Sequence, residues 1–135
     1  MNDKRLRILL FAHGLVTLAA GIALVVRPGF IPALVGAQLG SSGFIVAYLL
    51  AGAELGFSFL SFESALSADA KILRAAAHAC AAFHGTSALL ELHAYANGLG
   101  PVILLNVAVR VIVVALFLLL ARTSDRTLPP ASGRN

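Results

Sequence analysis

The sequence has a single cysteine, Cys80, in 135 residues, so no disulfide can form within the chain and a covalently stapled fold is excluded. Charge is scarce as well: Asp, Glu, Lys and Arg make up 12% of the residues against 59% hydrophobic residues, and mean hydropathy is +0.92. A soluble core cannot hide that much apolar surface. The common metal and haem signatures H-x-x-x-H, H-E-x-x-H and C-x-x-C-H are all missing, and no catalytic motif takes their place. No catalytic residue is assigned, and catalysis is the minor reading.

What is present is a set of four long apolar runs. A membrane-crossing helix needs about 20 apolar residues, and the chain accommodates four, predicted at residues 6–26, 42–62, 72–93 and 100–121. The expected fold is therefore all-α, a single four-helix membrane domain over residues 1–122 followed by a flexible polar tail over 123–135. Local signals set the boundaries. The first run stops at Arg27-Pro28-Gly29, where proline disfavours helix in the residue before it. Gly40-Ser41-Ser42-Gly43 leads into the second run, Ser67 or Asp69 is suited to cap the third, and Asn97, Gly98, Gly100 and Pro101 precede the fourth. The segment from Phe30 to Leu39 is apolar but too short to cross, and reads as an interfacial loop, a short surface helix or a re-entrant piece.

Lysine and arginine give the orientation. Lys4, Arg5 and Arg7 precede the first run, Lys71 and Arg74 lie at the second connection, and Arg122, Arg126 and Arg134 follow the fourth, whereas the other connections offer only Arg27. Short cytoplasmic segments are rich in these residues, so both termini are expected in the cytoplasm. The net charge of +4 and pI near 10.0 then reflect topology and anionic headgroups rather than nucleic acid. The basic, apolar N-terminus reads as an uncleaved first span: its apolar run exceeds a signal peptide's, and it ends at Arg-Pro-Gly instead of a small-residue cleavage site.

Each run carries a polar stripe. His13 and Thr17, and Asn106 and Arg110, are four residues apart; Glu54, Ser58 and Ser61 share one helical face, as do Cys80, His84, Ser87 and Glu91. Hydrocarbon cannot solvate such groups, so these faces must meet one another or line a cavity. At about 1.5 Å per residue from the cytoplasmic ends of the predicted spans, His78 lies at about 9 Å, His13 at about 10 Å, Glu54 at about 12 Å, Arg110 at about 16 Å and His84 at about 18 Å. These five are the ligand or proton-handling candidates, with Thr17, Ser58, Ser87, Glu91 and Asn106 secondary. Glu54 and Arg110 are the expected ion pair. Equal depth makes His13 and His78 the histidine pair that a haem or metal site would use, although His78 and His84 lie about 120° apart on their helix. Glu91 and His93 are expected to snorkel at the outer interface. Gly52 and Gly56 form a G-x-x-x-G pair that suggests close helix packing or dimerisation.

Arg7 through Gly36, the run YLLAGAELGFSFLSF at 48–62, FHGTSALLEL at 83–92 and NVAVRV at 106–111 together resemble small bacterial four-helix membrane proteins of the DoxX-like and related uncharacterised families. The resemblance covers most of the chain and rests on helix order and a few polar positions. It implies a multi-pass protein of the bacterial inner membrane; some DoxX-type members are associated with quinone-linked sulfur oxidation, an activity for which no site residues of this chain can be matched. Three functions compete: a structural or accessory subunit, working as a homo-oligomer or with other membrane subunits; a small transporter or proton-handling protein; and a redox subunit associated with haem or quinone.

Overall fold

A computed structural model describes residues 2–125 as five α-helices, with no strand among them. Helix α1 runs Asn2–Val26, α2 Phe30–Leu34, α3 Phe44–Leu66, α4 Ala70–Ala96 and α5 Ile103–Asp125. Among the described residues, three segments are long and apolar enough to cross a membrane: Asp3–Val26, Ser41–Leu66 and Ile103–Thr123. Helix α4 is the longest, at 27 residues, but Lys71, Arg74, His78, His84, Glu91 and His93 interrupt its apolar character. The long helices overrun the predicted spans by as many as four residues at an end, and α5 continues to Asp125. The polar tail is thus helical as far as Asp125, and its remainder lies outside the described residues.

Backbone chemistry accounts for the ends. Asp69 is the cap of α4, its carboxylate accepting from the Lys71 amide at 2.7 Å. Arg7 on α1 closes the opposite problem at the end of α3, donating to the free carbonyls of Ala65, at 2.9 Å, and Ser67. Among the described residues, both left-handed positions are glycines, Gly36 at φ 80° and Gly98 at φ 98°. Each ends a helix by the same pair of bonds, Gly36 to Ala33 and Ala37 to Pro32 after α2, Gly98 to Tyr95 and Leu99 to Ala94 after α4. A side chain is disfavoured at that position, which explains the glycines.

Packing divides the molecule into two antiparallel pairs, α1 with α3 and α4 with α5, which meet along a lighter seam. Glycine permits the first pairing. A Cβ on Gly14 would stand 2.8 Å from Phe62, and one on Gly21 2.8 Å from Leu55, so α1 and α3 approach closely only because these positions are bare. Gly52 and Gly56 behave differently from expectation: nothing lies within 4 Å of a Cβ on either, and their face of α3 is turned outward. One apolar core, built on Leu6, Leu10, Leu73, Cys80, Phe117 and Ala121, fills the end nearest the N-terminus. A smaller one of Leu24, Ala47 and Ala51 fills the other. The outside is apolar too, with Leu49, Phe59, Leu89 and Leu105 about 70% exposed. Such a surface is stable against acyl chains and costly in water.

Candidate functional site

Between the two apolar cores lies a layer of polar side chains drawn from every long helix. The i,i+4 stripe of α1 turns His13 and Thr17 inward, both buried. The α3 stripe brings Glu54, Ser58 and Ser61 to the same layer, also buried. Ser58 donates to the Gly14 carbonyl at 2.9 Å, a contact that the bare glycine makes reachable, and Thr17 turns its hydroxyl back on the His13 carbonyl at 3.0 Å. Helix α4 contributes Cys80, His84, Ser87 and Glu91, and α5 contributes Asn106 and Arg110.

The strongest polar contact is Arg110 Nε to Glu91 Oε1 at 2.8 Å, an ion pair between side chains 15% and 18% exposed. Asn106 donates to the same carboxylate oxygen at 2.7 Å. Arg110 therefore pairs with Glu91 and not with Glu54, and Glu91 is part of the inner layer instead of snorkelling outward. The physical reason is the turn at Gly98: Glu91 lies seven residues before it and Asn106 seven after Leu99, so the antiparallel hairpin sets them face to face. Arg110 reaches one turn along α5 to the same carboxylate.

The histidine pair also differs. His13 Nε2 lies 2.9 Å from His84 Nε2, with the rings edge to face, whereas His78 is exposed on the far side of α4. Cys80, His84 and Glu91 share the inward stripe and His78 falls off it, so facing, not depth, selects the partner. Ser87 is half-buried on that stripe.

The direction of this hydrogen-bond chain follows from one fact: a guanidinium only donates. Arg110 Nη1 stands 3.1 Å from His84 Nδ1, which must accept, leaving the His84 proton on Nε2. That proton points at His13 Nε2, which accepts in turn, so the His13 proton is on Nδ1 and donates to Ser61 Oγ at 2.8 Å. Both imidazoles are neutral in this arrangement, and all four ring nitrogens are used. Arginine does not release a proton in proteins, so the chain is closed at that end and orders its members without passing protons through them. Cys80 sits beside it, with Sγ 3.8 Å from Ser61 Oγ and 3.9 Å from His13 Nδ1. No group of three or more His, Cys, Asp or Glu side chains suited to a metal ion occurs among the described residues.

Beside this network the seam opens into a cleft of about 460 Å³ between α1, α3 and α5. Ile31 and Leu34 of α2, with Val35 just after it, cover one end, and Leu9, Val16, Leu50, Val113 and Phe117 provide apolar walls. His13, Thr17, Glu54, His84, Asn106 and Arg110 form a polar strip within it. Sequence reasoning found every member of that strip but not the cleft, which exists because α1 and α5 meet only lightly. Glu54 stands out in it. It is 8% exposed, lines the cleft and makes no hydrogen bond or ion pair among the described residues.

Among the described residues, fold and site define an all-helical protein with three membrane-competent helices and a polar-floored, partly open cleft. Comparison with family models, curated proteins and solved structures finds no match for this chain. The functional reading is carried by its own residues.

Proposed function

We propose that the protein is a four-span bundle of the bacterial inner membrane, with both termini cytoplasmic, whose cleft binds a small, mainly apolar molecule drawn from the bilayer. Four spans follow if α4 crosses with its polar stripe turned inward, since its outward residues Ile72, Leu89 and Leu90 are apolar and exposed; the resemblance to small four-helix proteins implies the same count. The observation that supports binding is the cleft. Its volume is within the range of small-molecule sites, and such sites pair apolar walls with a few convergent polar groups. An architectural role alone has no use for a buried carboxyl without a partner.

A second reading, a structural or accessory subunit that assembles with its own copies or with other membrane proteins, is favoured by Arg110, Glu91 and Asn106, which lock α4 to α5. Saturable labelling separates the two. With a neutral apolar diazirine, adducts at Val16, Val109 and Val113 should saturate and be lost in Ala20→Phe, which fills the cleft, while adducts at lipid-facing Leu49 and Leu105 should rise without limit. Labelling that is equally non-saturable at all five positions sinks the binding reading and leaves the structural one.

A further inference from the structure

We infer that the cleft is selective for a lipophilic monocation, an apolar body bearing one ammonium or similar positive group, and that this cation and a proton compete for Glu54. The inference rests on the binding reading above and adds the chemistry of the ligand.

The reasoning is a count of charge. Facing the cleft are His13 and Thr17 from α1, Glu54 from α3, His84 from α4, and Asn106 and Arg110 from α5; α2 contributes only apolar side chains there. Arg110 is the single permanent cation of this set, and its charge is matched by Glu91 in direct contact. The histidines add none, because the donor-only guanidinium fixes both rings as neutral through the contacts Arg110–His84 and His84–His13. Glu54 is therefore a second carboxyl with no second cation: the charge of Arg110 reaches it without contact, while Glu91 holds the guanidinium directly. Glu54 is only 8% exposed, and a carboxylate so placed without a cation in contact is strongly disfavoured.

A group in that position is neutral or it is paired. Either a proton occupies the carboxyl, or a positive ligand supplies the missing charge. An anionic ligand would leave Glu54 uncompensated and would have to displace Glu91 from Arg110, and a neutral ligand, even one that donates a hydrogen bond, brings no positive charge to balance the carboxylate. The walls select further, since Val16, Leu50, Val113 and Phe117 reward an apolar body and exclude a hydrated ion. Because one site serves both, binding of the cation expels the proton wherever Glu54 was protonated. No bond is made or broken except the O–H bond of that carboxyl, whose proton passes to solvent.

The test uses the full chain purified in detergent and a ligand with a permanent charge, 4-phenylbutyltrimethylammonium, beside its neutral isostere with carbon in place of nitrogen. Equilibrium dialysis should show the cation binding at least tenfold tighter than the isostere near neutral pH. Its affinity should fall as pH is lowered, by up to about tenfold per unit if one proton is exchanged per cation. Glu54→Gln should abolish both the preference and the pH dependence while keeping binding of the isostere, and Glu54→Asp should keep the preference. Equal affinity for the two ligands, or a preference that survives in Glu54→Gln, overturns the inference and leaves the cleft as a binding site. Failure of both ligands to bind overturns the binding reading as well. Retained binding of the isostere serves as the folding control for the variants.

Discussion

At the scale of single residues, the ion pair between Arg110 and Glu91 sets the largest energetic stake. Each charge is tolerable because the other is present, so removing one leaves the other stranded in a low-dielectric layer. Glu91→Leu is expected to cost about 3 kcal/mol of bundle stability, while the double variant Glu91→Leu, Arg110→Leu should cost clearly less than the sum of the two single changes. Unfolding equilibria of the four proteins in mixed micelles measure this, and strict additivity would show that the pair is not coupled. Ser64 offers a smaller contrast. Its hydroxyl is buried with no partner among the described residues, and Ser64→Ala should leave stability unchanged or raise it by up to about 1 kcal/mol.

The same residues show what was legible beforehand. Polar stripes placed His13, Glu54, His84 and Arg110 on inward faces, where the structure also has them, because helical periodicity is a property of sequence alone. Partner choice was not legible from depth, since depth counted from predicted boundaries carries the boundary error and ignores the length of an arginine. Two signals would have done better: the symmetry of residues about the Gly98 turn, which opposes Glu91 to Asn106, and the facing of His84 over His78. The unpaired state of Glu54 could not be read at all, because it depends on where α5 comes to rest.

At the scale of helices, glycine position decides which faces can touch. Gly14 and Gly21 lie where α1 and α3 are in contact, and Gly52 and Gly56 lie where nothing is. Substituting Gly21 by valine should force Leu55 and the α3 backbone away at a cost of about 1–3 kcal/mol, the usual range for overpacking. Gly52→Ala should instead be neutral or stabilising, since alanine is the better helix former by about 1 kcal/mol. Thermal denaturation followed by circular dichroism distinguishes them. The G-x-x-x-G spacing on α3 did not identify the intrachain contact, because the spacing places small residues on one face without saying which neighbour that face meets.

For the whole molecule, the number of crossings is the property on which everything else hangs. Four crossings put both ends of the chain on one side, and three put them on opposite sides. In a Cys80→Ala background, single cysteines at Ala37 and Asn97 should react with an impermeant maleimide added from outside intact cells, and one at Ala68 should not. Ala68 and Asn97 behaving alike, both protected or both reactive, would put the two ends of α4 on one side and reject the four-span arrangement. The apolar exterior is what makes a membrane location legible from composition, whereas the division into two helix pairs is a matter of packing and left no trace in the letters.

That division has a consequence in time. Synthesis delivers α1 and α3 to the membrane before α4 exists, and the early pair can satisfy only part of itself: Ser58 finds the Gly14 carbonyl and His13 finds Ser61. The other ring nitrogen of His13 must wait for His84. Until then the first hairpin carries an imidazole nitrogen that it cannot satisfy by itself, and only the second pair completes it.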